Sequence, residues 1–134
     1  MRRVVADSSV WIDYFRTVEN RETSRLRSLI SVDDETDLLI VPDLVLYEVL
    51  QGAPKGAYMT IDRLMRSFVV ETAGGEEAVV AAADRYRALR RNGITIRKSP
   101  DVLIASWCLD NDAALLHRDR DFRPFEDVFG LRTA

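Results

Sequence analysis

Four short apolar runs, separated by segments of helical period, constrain the fold of this chain most. They are Val4-Val5-Ala6, Leu38-Leu39-Ile40-Val41, Phe68-Val69-Val70 and Ala114-Leu115-Leu116. Each is too short for a helix core and lacks the polar alternation of a half-exposed strand. Runs of this kind read as strands buried on both faces, which is the habit of parallel sheets covered by helices. Between them the apolar spacing predicts helices from about Val10 to Phe15, from Glu22 to Ile30, from an Asp43 cap to Gly52, and from about Tyr58 to Ser67. Two more are predicted over Glu76–Arg91 and from Ser99-Pro100-Asp101 to about Leu109. Ser8 and Ser9 are the expected caps of the first helix, and Ser99 that of the last. In the Glu76–Arg91 helix, Val79, Val80, Ala83, Tyr86 and Leu89 are expected on the inner face. Asp33-Asp34-Glu35 with Asp37 reads as a turn. The tail from Phe122 reads as irregular, with room for one turn of helix or a last edge strand.

A chain of 134 residues fits one domain, residues 1–134, with a real core. Hydrophobic residues at 47% and charged residues at 31% exclude a disordered or collagen-like chain. Nineteen Lys+Arg against 22 Asp+Glu leave a net charge of −3, which argues against holding nucleic acid by bulk charge and leaves a local basic stripe open. All cations except Lys55 and Lys98 are arginines, the shape suited to forked phosphate contacts. Cys108 is the only cysteine and His117 the only histidine, so an internal disulfide, a thiolate zinc site and a multi-histidine metal site are excluded. Cys108 reads as inert core. No apolar stretch approaches the roughly 20 residues that span a bilayer, and the expected location is the cytoplasm.

The acids do not fit a purely structural reading. Asp7 closes the first strand and Asp119 follows the last, and ligands of parallel sheets bind beyond the carboxyl ends of strands. Glu48 sits in Leu44-Val45-Leu46-Tyr47-Glu48-Val49-Leu50, a helix apolar nearly all round and therefore expected to be buried. No Lys or Arg lies one helical turn from it, and an unpaired buried carboxylate costs several kcal/mol. Asp101 alone is ordinary dipole compensation, but the helix behind it is largely apolar, so its start should open onto an interior crevice. Asp119 and Asp121 alone read as turn residues. Together these acids form a hard oxygen ligand set without His or Cys, which selects Mg2+ or Mn2+. Such an ion can activate water and stabilise the leaving oxygen of a phosphodiester.

The stretches VVADSSVWIDYF, VPDLVLYEVLQG, SPDVLIASWCLDND and LLHRDRDF, in this order and spacing, resemble the PIN-domain ribonucleases, and among them most the VapC toxins of VapBC toxin–antitoxin pairs. The resemblance runs from Val4 to about Phe125. It implies a three-layer α/β/α sandwich around a central parallel sheet and a Mg2+-dependent endoribonuclease, with Mn2+ as substitute. By motif it places the catalytic acids on Asp7, Glu48, Asp101 and Asp119, and the metal ligands on these four with Asp121 beside them. It implies RNA as substrate, a cognate VapB antitoxin, and a homodimer. His117 stands where many relatives carry Thr or Ser and reads as a strand-end residue.

Arg16, Arg85, Arg87, Arg90, Arg91, Arg97 and Lys98 are candidates for phosphate contacts, and Arg118 and Arg120 flank the last acids. Two other readings compete. A receiver-like acidic signalling domain needs two adjacent acids after its first strand, whereas Asp7 is followed by Ser-Ser. A catalytically silent PIN module is the other, and the intact acid set argues against it.

Overall fold

The computed structural model describes residues 1–31 and 36–134. Strand β1 (Arg2–Ala6) lies between β2 (Asp37–Pro42) and β4 (Ala113–Leu116), and β3 (Val69–Glu71) pairs with β2 at the far edge. All pairings are parallel: Val4 stands opposite Leu39 on one side and Ala114 on the other, and Ile40 stands opposite Val69. Val4, Val5, Ala6, Ile40, Val41 and Leu115 are fully buried, as apolar runs in a sheet covered on both faces should be, whereas Val69 and Val70 of the edge strand β3 are exposed and depart from that expectation.

The strand order fixes the layers. The chain moves outward from β1 to β2 to β3 through α1 (Ser8–Phe15), α2 (Arg21–Ile30), α3 (Asp43–Gln51) and α4 (Tyr58–Arg66). It then returns to the other side of β1 through α5 (Glu76–Arg91) and α6 (Ser99–Asp110). Right-handed crossovers in opposite directions put α1–α4 on one face and α5–α6 on the other. Accordingly α1 packs on α2 and α3, while α5 packs on α6 and α6 on β4. This is the expected α/β/α sandwich.

Several local expectations are corrected. Asp37 is not in a turn; it is the first residue of β2, buried, with Arg2 donating two bonds of 3.1 Å and Arg25 of α2 adding a third. Those guanidiniums, Arg2 foremost, hold its carboxyl below the usual range. Asp33, Asp34 and Glu35 of the expected turn lie outside the described residues. Asp43 does not cap α3: Pro42 holds the cap position without a side-chain bond, and Asp43 instead accepts from the Ala73 N–H at 2.9 Å. In α5 the buried residues are Ala82 and Leu89, with Tyr86 half-buried between them, while Val80 is 57% exposed. Small Ala82 permits close approach to α6, and the larger valines turn outward. Gly93, at φ +78°, ends α5: its N–H reaches Arg90 O and the next N–H reaches Leu89 O, a reversal that needs the left-handed residue.

The tail holds more order than expected. A 3-10 turn, Arg120–Phe122, leads into α7 (Arg123–Phe129), whose Phe125 is fully buried. Thr133 then bridges to Leu115 beside β4. Among the described residues, no helix is long and apolar enough to cross a membrane.

Candidate metal centre

β1 delivers Asp7 to the seam where the crossovers diverge, between β1 and β4. The Asp7 N–H donates to Leu116 O at 2.9 Å and ties the two strand ends together. Crevices at such reversals of strand order are the ligand sites of open parallel sheets. Asp7 itself is the N-cap of α1, and Ser8 and Ser9 fall inside the helix. The Ser9 hydroxyl donates to Asp7 Oδ2 at 2.6 Å, and the Ser9 N–H adds a longer bond of 3.4 Å. Asp7 Oδ1 is buried and has no protein partner.

α3 and α6 bring the next two acids. Glu48 is half-buried rather than enclosed, because α3 buries one stripe, Val45 and Val49, and leaves Tyr47 63% exposed. Its Oε1 nevertheless has no partner and no access to water. Burial first, and then the charge of Asp7, raise its pKa, opposed by hydrogen bonding from Ser8 and the charge of Lys98. Asp101 lies in the first turn of α6; Lys98 and not Ser99 holds the cap position, with Pro100 in the opening turn. Asp101 is buried and its Oδ2 is likewise unpartnered. Its carboxyl is pushed up to about 7 by burial and by the charge of Asp7, with smaller contributions from Asp119 and Glu48 against the pull of Lys98.

The fourth side of the site follows β4. Asp119 caps the 3-10 turn, accepting the Asp121 N–H on Oδ1 at 2.9 Å. Asp101, Asp119 and Asp121 each place one carboxylate oxygen within 4.8 Å of the others. The fold therefore gathers all five acids singled out in the sequence: three as a tight cluster, and Asp7 and Glu48 facing it through their charges. Three buried oxygens without a partner, on Asp7, Glu48 and Asp101, are costly unless a cation or proton answers them. An all-oxygen donor set of this kind suits a hard divalent cation.

Beside the cluster, Ser9, Asp13, Arg118, Asp119 and Arg120 line an open cleft of about 450 Å³. Arg118 is engaged, donating to Asp13 at 3.0 Å with Glu22 at 4.0 Å. Arg120 has no partner among the described residues. Arg85, a candidate phosphate ligand from the sequence, is instead a structural clasp. It donates to Ser106 Oγ at 2.6 Å and Asp110 at 2.8 Å, on the half of α6 away from Asp101. Cys108 is fully buried, and burial pushes its thiol up, as expected for inert core.

Sequence reasoning missed one bonded pair here. His117 and Glu126 join at 2.9 Å, and His117 Nδ1 accepts the Asp119 N–H at 3.2 Å. Glu126 lies in the tail read as irregular, so no local pattern linked the two.

Comparison with known proteins agrees with this geometry. The family model described as PIN domain matches residues 4–127. A VapC ribonuclease of Mycobacterium bovis and ribonuclease VapC11 of Mycobacterium tuberculosis are each 30% identical over 132 residues, covering 98% of this chain and 97% of theirs. Among solved structures, VapBC2 from Rickettsia felis bound to a DNA fragment from its promoter shares the fold. The TM-score is 0.76 at 14% identity, covering 98% of this chain and 97% of that one.

Proposed function

The chain belongs to the PIN-domain family, and from that premise we propose that it is an endoribonuclease of the VapC kind that uses Mg2+, or Mn2+ in its place. The observation that carries this reading is the trio of buried, unpartnered carboxylate oxygens on Asp7, Glu48 and Asp101 beside the Asp101–Asp119–Asp121 cluster. Asp7, Asp101 and Asp119 would hold the cation, with Asp121 beside them and Glu48 reaching it directly or through water. A divalent ion bound there supplies a water of lowered pKa and neutralises charge on the phosphate.

The remaining chemistry belongs to the chain. Water adds to phosphorus as the bond to the 3′ oxygen breaks; the water's proton passes to Glu48 and from there to solvent, and the leaving 3′ oxygen takes a proton from solvent. Glu48, with its raised proton affinity, orients the attacking water and accepts its proton. Arg120, unpaired in the cleft, and Lys98, close enough to pull on Glu48 and Asp101, meet the phosphates. Ser9 fixes Asp7 through its short hydroxyl bond.

The same reading extends to partners and place. The VapBC2 neighbour is a complex, and a VapB-type antitoxin is the partner proposed for this chain. A homodimer is proposed on the exposed Tyr47, Tyr58 and Met59. Residues 1–134 act as one PIN domain in the cytoplasm.

The test is incubation of mixed RNA with the purified chain, with Mg2+ or with a chelator. Cleavage only with the metal, and its loss in Asp101→Asn, supports the reading. Tight RNA binding without cleavage under any divalent metal would instead make the chain a silent binding module.

A further inference from the structure

His117 leaves the end of β4 with its ring enclosed, its side chain only 8% exposed. Both ring nitrogens are taken by the protein. Nδ1 accepts the Asp119 N–H at 3.2 Å and so carries no proton. Nε2 then holds the ring proton and donates it to Glu126 Oε1 of α7 at 2.9 Å. The ring also packs against buried Phe122, with centroids 4.8 Å apart and planes inclined at 55°. Two hydrogen bonds and this aromatic contact leave the imidazole a single orientation.

That orientation acts on Asp119. Its N–H is held by His117, its Oδ1 by the Asp121 N–H, and its carbonyl accepts the Phe122 N–H at 3.2 Å. Its Oδ2 has no hydrogen-bond partner among the described residues, and Asp119 contributes one of the three oxygens that converge within 4.8 Å. We infer that His117, anchored by Glu126, is a positioning residue: it couples α7 to the metal centre by holding Asp119 in a ligating posture before any cation arrives. The inference rests on the metal-centre reading above. With both nitrogens occupied, His117 does not touch substrate or pass protons. Its contribution is order already in place, which the cation would otherwise have to impose on the Asp119 segment.

Packing and hydrogen bonding at this position can be separated. His117→Leu keeps an apolar body against Phe122 and loses the acceptor. His117→Asn keeps an acceptor for the Asp119 N–H and loses most of the packing. Mn2+ affinity is measured by calorimetry on the full metal-free chain, alongside the melting temperature of each variant. The expected result is a crossing of orders: His117→Leu, which loses both bonds, binds Mn2+ about tenfold more weakly, while His117→Asn, which keeps the Asp119 bond and loses the Glu126 one, binds more tightly than His117→Leu though it melts lower. Affinity that follows melting temperature instead, or wild-type affinity in both variants, overturns the proposal. If either variant is too unstable to assay, Glu126→Ala decides: weaker Mn2+ binding supports the proposal and unchanged binding overturns it. Asp101→Asn is the control. Wild-type Mn2+ binding and cleavage in that variant would bring down the metal-centre reading itself, independently of His117.

Discussion

Asp7 and Asp101 repel each other across the crevice at the strand ends. After burial itself, the charge of Asp7 is the largest cause that lifts the Asp101 carboxyl to about 7. One acid closes β1 and the other opens α6, so the repulsion exists only in the folded chain. It makes the native state hold a proton on Asp101 more tightly than the unfolded chain does.

The pH dependence of stability follows with a definite sign. Asp101 titrates near 3.8 unfolded and about 7 folded, so between those values the native state keeps a proton that the unfolded state has lost. Stability of the metal-free protein therefore falls as pH rises through that window and then levels. Glu48, also raised, acts in the same direction starting from 4.5. Asp37 acts oppositely, because its pKa is lowered: its contribution is lost only as pH falls below 3.8, outside the window. Thermal melts without metal should show a lower melting temperature at about pH 8 than at about pH 5.

On the metal-centre reading proposed above, Mg2+ and protons compete for the same oxygens. Mg2+ should raise the melting temperature of the wild type more at about pH 8 than at about pH 5, where protons already answer the carboxylates. Asp7→Asn, which removes one charge from the crevice, should show a smaller rise. Equal rises in both proteins would mean that Asp7 takes no part in cation binding.

Asp101→Asn should fold and lose cleavage by at least about 100-fold, since even supporting groups of metal sites cost 10–100-fold when removed. In the absence of metal it should melt no lower than wild type at neutral pH, because it removes a buried charge that lacks a partner on Oδ2. Activity assays and paired melts check both halves.

The two arginines that flank Asp119 should separate cleanly. In the Asp101→Asn background, which is expected to bind without cutting, Arg120→Ala should weaken RNA binding. It should also reduce the slope of log affinity against log salt by about 0.7, the value of one phosphate contact on a single strand. Arg118→Ala removes a half-exposed ion pair with Asp13 and should cost under about 1 kcal/mol of stability. A larger loss of salt dependence in Arg118→Ala than in Arg120→Ala would reverse their roles.

Arg85→Ala should destabilise by about 1–3 kcal/mol, the penalty for stranding a buried polar group, here the hydroxyl of fully buried Ser106. At temperatures where it remains folded, its cleavage rate should match wild type. A selective loss of RNA affinity in denaturant-resistant Arg85→Ala would restore it as a phosphate ligand.

Much of the architecture was legible in the residue order because it depends on local periodicity and on rules of connection. The four apolar runs became the four strands, and Glu76–Arg91 became α5 with the expected bounds. The acid types and their places after β1, in α3, at the start of α6 and after β4 were also on view in the sequence, and so was the kind of cation they suit. Caps were less legible, because Asp7 and Ser8 have similar local preferences and only the path leaving β1 chose between them.

What the sequence by itself determined was the alternation of strand and helix, the parallel sheet it requires, and a set of carboxylates without His or Cys among them. Tertiary structure alone decided which face of α5 turns inward, that Arg85 clasps Ser106, that the tail folds into α7, and that Glu126 reaches His117. It also decided the proton affinity of Asp101, which is set by burial and by acids arriving from three other elements. The physical reason is one of range: hydrophobic period and turn chemistry act over a few residues, whereas desolvation and charge repulsion act through space between residues that only the completed fold brings together.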